Sequence, residues 1–349
     1  MVQVNEEKLT ALVKKIFLAN GLSDEDASVI SDALVAANIT GRASHGVLRT
    51  KAYVERIRKG GANCKPNMRL LSETGTTALI DADNALGMIA ASKAAKLTRK
   101  KAEENGVACV VVKNSNHYGA AVAWTDEIAQ DDMIAFSCCN TAPLMAPPGG
   151  KAVALGTNPL SITVPTATHG NVCLDIATSM VAQGKLFDYR LKHLPIPDGW
   201  AVDKDGKPTN DAEAATYLSP FGAHKGYGIA CMVEIMSALL AGGQFGKEVN
   251  DMYNDIEKPN LISACFIAVK IDSFRDSAEF RKDMDRFVEY LKATPAAEGQ
   301  TVYFPGEIEQ INRKKVMKEG LNLPEDLIEE LTELAKSCGI ENAQEYLTR

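Results

Sequence analysis

The sequence has no apolar run approaching the about 18 residues that are needed to span a bilayer. Its N-terminus lacks a basic region followed by an apolar stretch and a cleavage site, so no secretory signal peptide is predicted. Basic tracts are also missing, and 38 Lys and Arg residues against 45 Asp and Glu residues give a net charge of −7. Nucleic acid and membranes are therefore not expected partners, and we expect an acidic protein of the cytoplasm.

The common patterns of metal-binding residues are absent as well. The eight cysteines are scattered without a C-x-x-C pair, and the five histidines are far apart with no H-E-x-x-H. Neither a zinc site nor a disulfide framework is predicted, because both need cysteines or histidines at short or regular spacings. We expect reduced thiols and no metal ion.

Familiar nucleotide-binding loops are also missing. There is no G-x-x-x-x-G-K-[ST] loop, and the nearest match to G-x-G-x-x-G, at 226–231, lacks its third glycine. No G-x-S-x-G occurs, which excludes the usual nucleophile elbow of α/β-hydrolases. A Rossmann-type site is therefore not expected, although other ways of binding a dinucleotide stay open.

The chain of 349 residues is long enough for about two domains. Its beginning and end show helical patterns, and between them helical patterns alternate with apolar runs, which predicts an α/β core. The punctuated stretch 184–220 is predicted to be a long loop. A helix that starts near Gly226 is apolar on nearly all sides and is predicted to be buried. Strands are predicted at 76–83, 107–114, 133–140, 161–166, 171–178 and 261–271.

Two histidines stand where chemistry could take place, since histidine is the usual proton shuttle near neutral pH. His117 follows a predicted buried strand, and ligands of α/β sheets bind beyond the carboxyl ends of strands. His45 can cluster with Ser44 and Arg49 if this segment turns into a helix. Arg49 could then grip a carboxylate through two hydrogen bonds. The alternatives are a loop-capping role for His117 and a capping serine beside a surface arginine.

The segment 224–228 is a further candidate because it opens a predicted helix. Lys225 and the free backbone amides of a helix start suit a phosphate group. The alternative is a plain glycine-rich turn. The stretch 145–161 is predicted to form a rigid, irregular loop, whose glycines allow a flat ligand to approach the main chain closely.

Seven motifs in a fixed order resemble the malate/L-lactate dehydrogenase family of the non-Rossmann type. They are ASHGVLR at 43–49, KNSNHYG at 113–119, the block APPGG…GTNP ending at 159, LDIATS at 174–179, AQGK at 182–185, HKGYG at 224–228 and YFPGE at 303–307. The resemblance implies a cofactor-binding α/β domain, 73–294, with a largely antiparallel or mixed sheet. It also implies that the helical segments 1–72 and 295–349 pack together as a second domain, with the active site between the domains and near a homodimer partner.

The resemblance implies roles for individual residues as well. His117 matches the proton acceptor of the family, and His45 is its rival because some relatives that act as reductases have a proton donor at this motif. Arg49 would bind the substrate carboxylate, and Ser44 would form a hydrogen bond nearby. The residues implied for the cofactor are Thr141, Asp175, Ile176, Ala177, Lys225, Gly306 and Glu307. Two positions depart from the pattern, because Thr141 replaces a more usual serine and Ile308 stands where an acid can occur.

Within the family, the segments 53–66, 81–84 and 196–215 are most similar to the ureidoglycolate dehydrogenases. This likeness implies oxidation of (S)-ureidoglycolate to oxalurate with NAD in the breakdown of allantoin and purines, with NADP not excluded. The segment 184–220 would then recognise the ureido group. The open alternatives are a malate, L-lactate or other 2-hydroxy acid dehydrogenase, a 2-oxo acid reductase, and a non-catalytic ligand-binding homologue.

Overall fold

The computed structural model describes residues 1–347 and consists of strands and helices that alternate through the middle of the chain. The strands are β1 (Val2–Val4), β2 (Arg69–Glu73), β3 (Thr77–Asp81), β4 (Val107–Ser115), β5 (Met133–Cys139), β6 (Leu160–Val164), β7 (Val172–Ile176), β8 (Ala201–Val202), β9 (Pro208–Thr209), β10 (Tyr217–Leu218), β11 (Ile262–Lys270) and β12 (Leu321–Leu323). The helices are α1 (Glu6–Ala19), α2 (Asp24–Ile39), α3 (Thr50–Lys59), α4 (Gly87–Asn105), α5 (Ala121–Ile128), α6 (Gln183–Leu191), α7 (His224–Glu234), α8 (Ser277–Lys292), α9 (Glu307–Glu319), α10 (Glu325–Ser337) and α11 (Ala343–Tyr346).

A seven-stranded mixed sheet with the order β2-β3-β4-β11-β5-β6-β7 forms the centre of the fold. The strands β3 and β4 are parallel, and α4 crosses between them; the other neighbouring pairs are antiparallel. The α/β fold with a mixed, largely antiparallel sheet is therefore confirmed. It is not the all-parallel arrangement of a Rossmann sheet, which agrees with the missing glycine fingerprint.

Helices cover both faces of this sheet. The helices α4 and α5 pack on one face, and α7 with its π-helical continuation, Ile235–Leu239, packs on the other. The two central strands, β4 and β11, are covered on both sides, which explains why their sequences are apolar almost without interruption. The carboxyl end of β4 leads directly to His117.

The two ends of the chain pack against each other. The strands β1 and β12 pair antiparallel, α1 contacts α10 and α11, and α2 contacts α9. Ser23 caps α2 by accepting a hydrogen bond from the Asp26 amide, as its sequence indicates. The division into 73–294 and a helical domain of 1–72 with 295–349 stays a prediction, and residues 348 and 349 of that segment lie outside the described residues.

The prediction that 184–220 is a long loop is wrong. This stretch contains α6 and a three-stranded sheet of β8, β9 and β10, and it supplies most of an apolar cluster that also includes Met145, Val181 and Ala230. Each of these strands is two residues long, so hydrophobic alternation could not show them in the sequence.

The prediction that the helix near Gly226 is buried is also wrong for the single chain. One side of α7 packs on the sheet, but the opposite side is open, and Met232 and Leu240 are 54% and 61% exposed. A sheet can cover only one side of a helix, so a helix that is apolar all round keeps an uncovered face.

Among the described residues no helix is long and apolar enough to cross a membrane.

Candidate active site

Two successive 3₁₀ turns after α2, Ala43–His45 and Val47–Arg49, gather the first group of predicted site residues. The Asn38 side chain accepts a hydrogen bond from the Val47 amide at 2.7 Å and fixes the join between the turns. A Cβ atom on Gly46 would lie 2.0 Å from the Asn38 amide oxygen, so the close approach requires glycine there.

Ser44, His45 and Arg49 lie together, as their spacing predicts. Arg49 Nε donates a hydrogen bond to the Ser44 carbonyl at 2.7 Å, and Ser44 Oγ lies 3.0 Å from His45 Nδ1. The two terminal nitrogens of Arg49 have no hydrogen-bond or ion-pair partner within residues 1–347. Burial lowers the pKa of Arg49, but a guanidinium starts from so high a value that it stays charged. This arginine is therefore free to bind a carboxylate.

The second group is the loop after β4, which holds His117. Asn116 Nδ2 donates to Asn84 Oδ1 at 2.9 Å and to the Ala85 carbonyl at 2.8 Å. A Cβ on Gly87 would lie 2.0 Å from the Asn116 carbonyl, so the start of α4 packs directly under the loop. These contacts fix the backbone next to His117.

The structure brings the two rival histidines face to face. The rings of His45 and His117 are stacked, with centroids 5.7 Å apart and planes 22° from parallel. Burial, followed by the charges of Arg49 and Arg42, lowers the pKa of His45 to about 4. Burial, followed by His45 and Arg49, holds the pKa of His117 well below its ordinary value. Both rings are therefore neutral near pH 7, which is the state that can accept a proton.

Tyr53 is a member of this group that the sequence analysis missed. Its hydroxyl lies 2.7 Å from Nδ1 of His117, and the Gly119 amide donates to the same nitrogen at 3.4 Å. Burial raises the pKa of Tyr53 well above its ordinary value, so the phenol stays protonated. The available signal was spacing, since Tyr53 lies four residues after Arg49 and such residues share a helix face.

Three residues predicted for the cofactor meet at one edge of the sheet. The Thr141 amide donates to Asn158 Oδ1 at 3.1 Å, and the Thr178 amide, next to Ala177, donates to the Thr157 carbonyl at 2.9 Å. The loop before Lys225 joins them, because the Phe221 amide donates to the Thr178 carbonyl at 3.0 Å. Thr141, Ala177 and Lys225 are thus held around the turn 156–159.

This edge fits a bound group. Thr141 Oγ1 is buried and has no partner within residues 1–347. A Cβ on Gly156 would lie 2.1 Å from that oxygen, so glycine keeps the space beside the hydroxyl open. Buried polar atoms are rarely left unpaired, and an orphan hydroxyl beside a glycine is what a site for a polar ligand provides. The residues present therefore fit a nucleotide cofactor.

Glu234 supports the same turn and was also missed. Its buried carboxylate accepts hydrogen bonds from Asn158 Nδ2 at 2.6 Å and from the Gly246 amide at 2.9 Å. The signal in the sequence was a single acid inside an apolar helix, which is rare unless the acid is paired.

The other cofactor candidates lie along β7. Arg42 Nε pairs with Asp175 at 2.9 Å, and burial, opposed by Arg42, raises the pKa of Asp175 to about 6. The Cys173 amide donates to the Pro305 carbonyl at 2.9 Å, which attaches the turn of Gly306 to β7. The Glu307 carboxylate is already engaged by Lys292 and the Phe304 amide, so any ligand contact there falls to the backbone.

A cavity of about 790 Å³ opens beside Gly306, between α2, α5 and α9, and Arg42 lines it. Its size suits a small-molecule or cofactor fragment. Because Arg42 also stands three residues before His45, one short segment connects the cavity with the paired histidines. Within residues 1–347 no group of three or more His, Cys, Asp or Glu residues could hold a metal ion.

Comparisons with known proteins identify the family of the chain. The family model described as malate/L-lactate dehydrogenase matches residues 4–332. The malate/(S)-sulfolactate dehydrogenase of Methanothermus fervidus is 38% identical and covers 97% of this chain and 98% of its own. The ureidoglycolate dehydrogenase (NAD(+)) of Escherichia coli K12 is 36% identical over 95% of both chains. The solved sulfolactate dehydrogenase of Methanocaldococcus jannaschii superposes with a TM-score of 0.94 at 35% identity, over 99% of this chain and 100% of that one. The chain therefore belongs to the malate/L-lactate dehydrogenase family and is an oxidoreductase that acts on the CH–OH group of a hydroxy acid.

Proposed function

We propose that the protein oxidises a 2-hydroxy acid in the cytoplasm with NAD as the hydride acceptor. The observation that carries this proposal is a neutral, buried His117 close to the unpaired guanidinium of Arg49. A 2-hydroxy acid has a carboxylate directly beside its hydroxyl, so the two groups match the acid and the alcohol of one small molecule. The unpaired thiols of the described cysteines are consistent with a reducing compartment.

His117 takes the hydroxyl proton of the substrate. Its Nε2 has no hydrogen-bond partner within residues 1–347, whereas Nδ1 faces Tyr53. To accept at Nε2, the neutral ring must carry its own proton on Nδ1, where the Tyr53 oxygen can accept it. The Gly119 amide donates to Nδ1 and so favours the opposite tautomer, with the proton on Nε2. Tyr53 opposes this preference, because its hydroxyl oxygen can accept a hydrogen bond from a protonated Nδ1.

Arg49 binds the substrate carboxylate, and Ser44 donates a hydrogen bond beside it. His45 is the second candidate for the proton, since it stacks on His117 and is also neutral. Its Nδ1 already faces Ser44, which lies 3.0 Å away.

When bound, NAD would supply the hydride acceptor for the substrate carbon. The residues that would hold it are Thr141, Asp175, Ile176, Ala177, Lys225, Gly306 and Glu307. Support comes from the orphan hydroxyl of Thr141 and from the open cavity beside Gly306. Lys225 at the start of α7 suits the pyrophosphate. NADP is the alternative cofactor, and the assay below includes it.

For the substrate we propose (S)-ureidoglycolate, which loses a hydride and a proton to give oxalurate in allantoin breakdown. The cations whose charges act on His45 are Arg49 and Arg42. Within residues 1–347 Arg42 is paired with Asp175 and Glu309, so of these two guanidinium groups Arg49 alone is free. One free cation suits a substrate with a single negative charge, and ureidoglycolate has one where malate and sulfolactate have two.

Malate or sulfolactate is the second candidate. Relatives with these names are as similar to the chain as the ureidoglycolate enzyme is, at 36–38% identity. The oxidation of L-lactate and the reduction of a 2-oxo acid are further candidate reactions. The separate alternative, a non-catalytic homologue, predicts binding without turnover.

The test is absorbance of reduced nicotinamide with purified protein, NAD or NADP, and each hydroxy acid in turn. We expect turnover with (S)-ureidoglycolate to exceed that with L-malate, sulfolactate and L-lactate. Faster turnover of a dianion would reject the ureidoglycolate assignment and leave the dehydrogenase. The His117→Ala variant should lose about a hundredfold or more in kcat while still binding NAD, and His45→Ala should lose less.

The partner we propose is a second copy of the chain. The open side of α7 and its continuation exposes Met232, Ile235, Leu239 and Leu240, and a single chain leaves this apolar surface uncovered. A twofold dimer would bury this face, which lies on the helix that holds Lys225 in its first turn.

A further inference from the structure

Arg56 lies seven residues after Arg49 in the sequence. The terminal nitrogens of Arg56 form hydrogen bonds within the protein, whereas those of Arg49 have no partner within residues 1–347. The side chain of Arg56 is buried, with 1% of the residue exposed. Its two terminal nitrogens contact five oxygens, all between 2.6 and 3.2 Å. The five are the carbonyls of Gly61, Met252, Asp255 and Lys258 and the side-chain oxygen of Asn116.

Arg56 therefore joins three parts of the molecule. Three of the five oxygens belong to the loop 250–260, one to the end of α3, and one to the residue directly before His117. Each of these bonds has a charged donor, and such bonds are stronger than neutral ones. The loop is thus fixed relative to the proton-accepting histidine, although about 140 residues separate them in the sequence.

The loop is also braced within itself. The Asn250 amide donates to the Asn260 carbonyl at 3.1 Å, and Asn260 Nδ2 donates back to the Asn250 carbonyl at 3.0 Å. Asp251 accepts from the amide of Tyr253 at 2.9 Å. A Cβ on Gly61 would lie 1.9 Å from the Ile256 carbonyl, so the loop rests directly on the end of α3.

The side chain that this loop presents to the site is Tyr253. Its ring centroid lies 5.4 Å from the guanidinium carbon of Arg49, within the range of a cation–π contact. Arg49 Nε is also held by the Ser44 carbonyl. The ring and the carbonyl together restrict the guanidinium, while its terminal nitrogens stay free.

We propose that Tyr253 is a positioning residue, which orients Arg49 for the substrate carboxylate and sets the acid-binding group at a fixed distance from His117. The inference rests on the proposed role of Arg49 and adds a specificity element outside the segment 184–220. A guanidinium that is oriented in advance loses less freedom when it binds a carboxylate, so the effect falls on substrate binding and not on proton transfer.

The experiment compares Tyr253→Ala with Tyr253→Phe, which keeps the ring and removes the hydroxyl. For the hydroxy acid that turns over fastest, Tyr253→Ala should raise KM about five- to tenfold and change kcat less than twofold. Tyr253→Phe should restore KM to within about twofold of the wild type, because the ring and not the hydroxyl makes the contact. KM for NAD should not change. Tyr290→Ala, at an exposed tyrosine of α8, is the matched control and should leave every constant unchanged.

A second measurement is independent of turnover. Isothermal titration calorimetry measures the binding of oxamate, a non-reacting analogue of a 2-oxo acid, to the NADH-loaded protein. The wild type should bind oxamate, and Tyr253→Ala should weaken this binding by the same factor by which it raises KM. The amide of the hydroxy acid has no carboxylate, so the variant should process it as the wild type does.

Two results would overturn the inference about Tyr253 and leave the proposed function in place. One is an unchanged KM and oxamate affinity in Tyr253→Ala while the wild type turns over normally. The other is a loss of kcat that Tyr253→Phe fails to restore, which would give the hydroxyl a chemical role. If the wild type neither turned over a hydroxy acid nor bound oxamate, the proposed function would fail and this inference with it.

Discussion

The Tyr53 hydroxyl lies 2.7 Å from Nδ1 of His117, although 64 positions separate the two residues in the chain. Tyr53 belongs to α3 in the helical part, and His117 follows a strand of the central sheet. This hydrogen bond therefore joins α3 to the loop after β4 and leaves Nε2 of His117 as the ring nitrogen without a partner among the described residues.

Replacing Tyr53 with phenylalanine tests this relationship. The variant keeps the packing but leaves Nδ1 facing only the Gly119 amide, which favours the proton on Nε2. Proton acceptance at Nε2 should then be impaired, and kcat should fall about 10- to 100-fold. Steady-state kinetics at saturating NAD measures the loss of kcat. The affinity for NAD is the control and should not change, because Tyr53 has no contact with Thr141 among those described. An unchanged kcat would show that Tyr53 only fills space.

The low pKa of His45, about 4, predicts a pH-dependent stability. The unfolded chain takes up a proton at this residue near pH 6.5, and the folded chain does so only near pH 4. The unfolded state thus binds more protons between these values, and the free energy of unfolding should fall as the pH is lowered through this window.

The His45→Gln variant isolates this contribution. It should reduce the pH dependence of the free energy of unfolding by up to about 1.4 kcal/mol per pH unit between about pH 4 and pH 6. Urea unfolding at a series of pH values measures both proteins. The raised pKa of Asp175, about 6, acts in the opposite direction, because the folded chain binds that proton first. Since both proteins retain Asp175, its effect cancels in the difference, and parallel curves would contradict the prediction.

Gly156→Ala tests the proposed cofactor edge. A Cβ at this position would lie 2.1 Å from Thr141 Oγ1 and 2.3 Å from the Thr141 carbonyl, so the turn 156–159 must shift. We expect KM for NAD to rise about tenfold, since overpacking of this kind costs about 1–3 kcal/mol. Gly184→Ala is the control, because a Cβ there has no neighbour within 4 Å. Equal KM values for NAD in both variants would remove Thr141 from the cofactor site.

Met232→Glu tests the proposed dimer. A carboxylate in the middle of a buried apolar interface would be desolvated without a partner, which costs several kcal/mol. Sedimentation velocity over a range of concentrations should show monomer for this variant and dimer for the wild type. Phe274→Glu, at an exposed aromatic in the turn after β11, should remain a dimer. A monomeric wild type would reject the proposal outright.

The sequence was most informative where a signal is local. Hydrophobic runs located β4, β5 and β11 within one residue at each end, because these strands are buried on both faces. The cluster of Ser44, His45 and Arg49 follows from spacing within one turn. In contrast, β8 to β10 are two residues long and produce no periodic pattern.

Contacts between distant segments could not be read in this way. Asn116 meets Asn84, and Tyr253 meets Arg49, only because the sheet and the loop 250–260 bring them together. The exposure of α7 had a different cause. Its composition predicts burial, but a single sequence does not say whether a covering surface belongs to the same chain.

The position of β11 has a consequence for how the molecule assembles. The strands β2, β3 and β4 form one local group and β5, β6 and β7 another, and β11 joins them by pairing with β4 and β5. These pairings close loops of more than a hundred residues, so they carry a large entropic cost and form late in folding. The ends of β4 and β5 lead to His117 and Thr141. During synthesis, the distance between these two ends becomes fixed only after the ribosome has added residue 270, the last residue of β11. A nascent chain stalled before Ile262 would contain both residues and still lack the strand that fixes the distance between them.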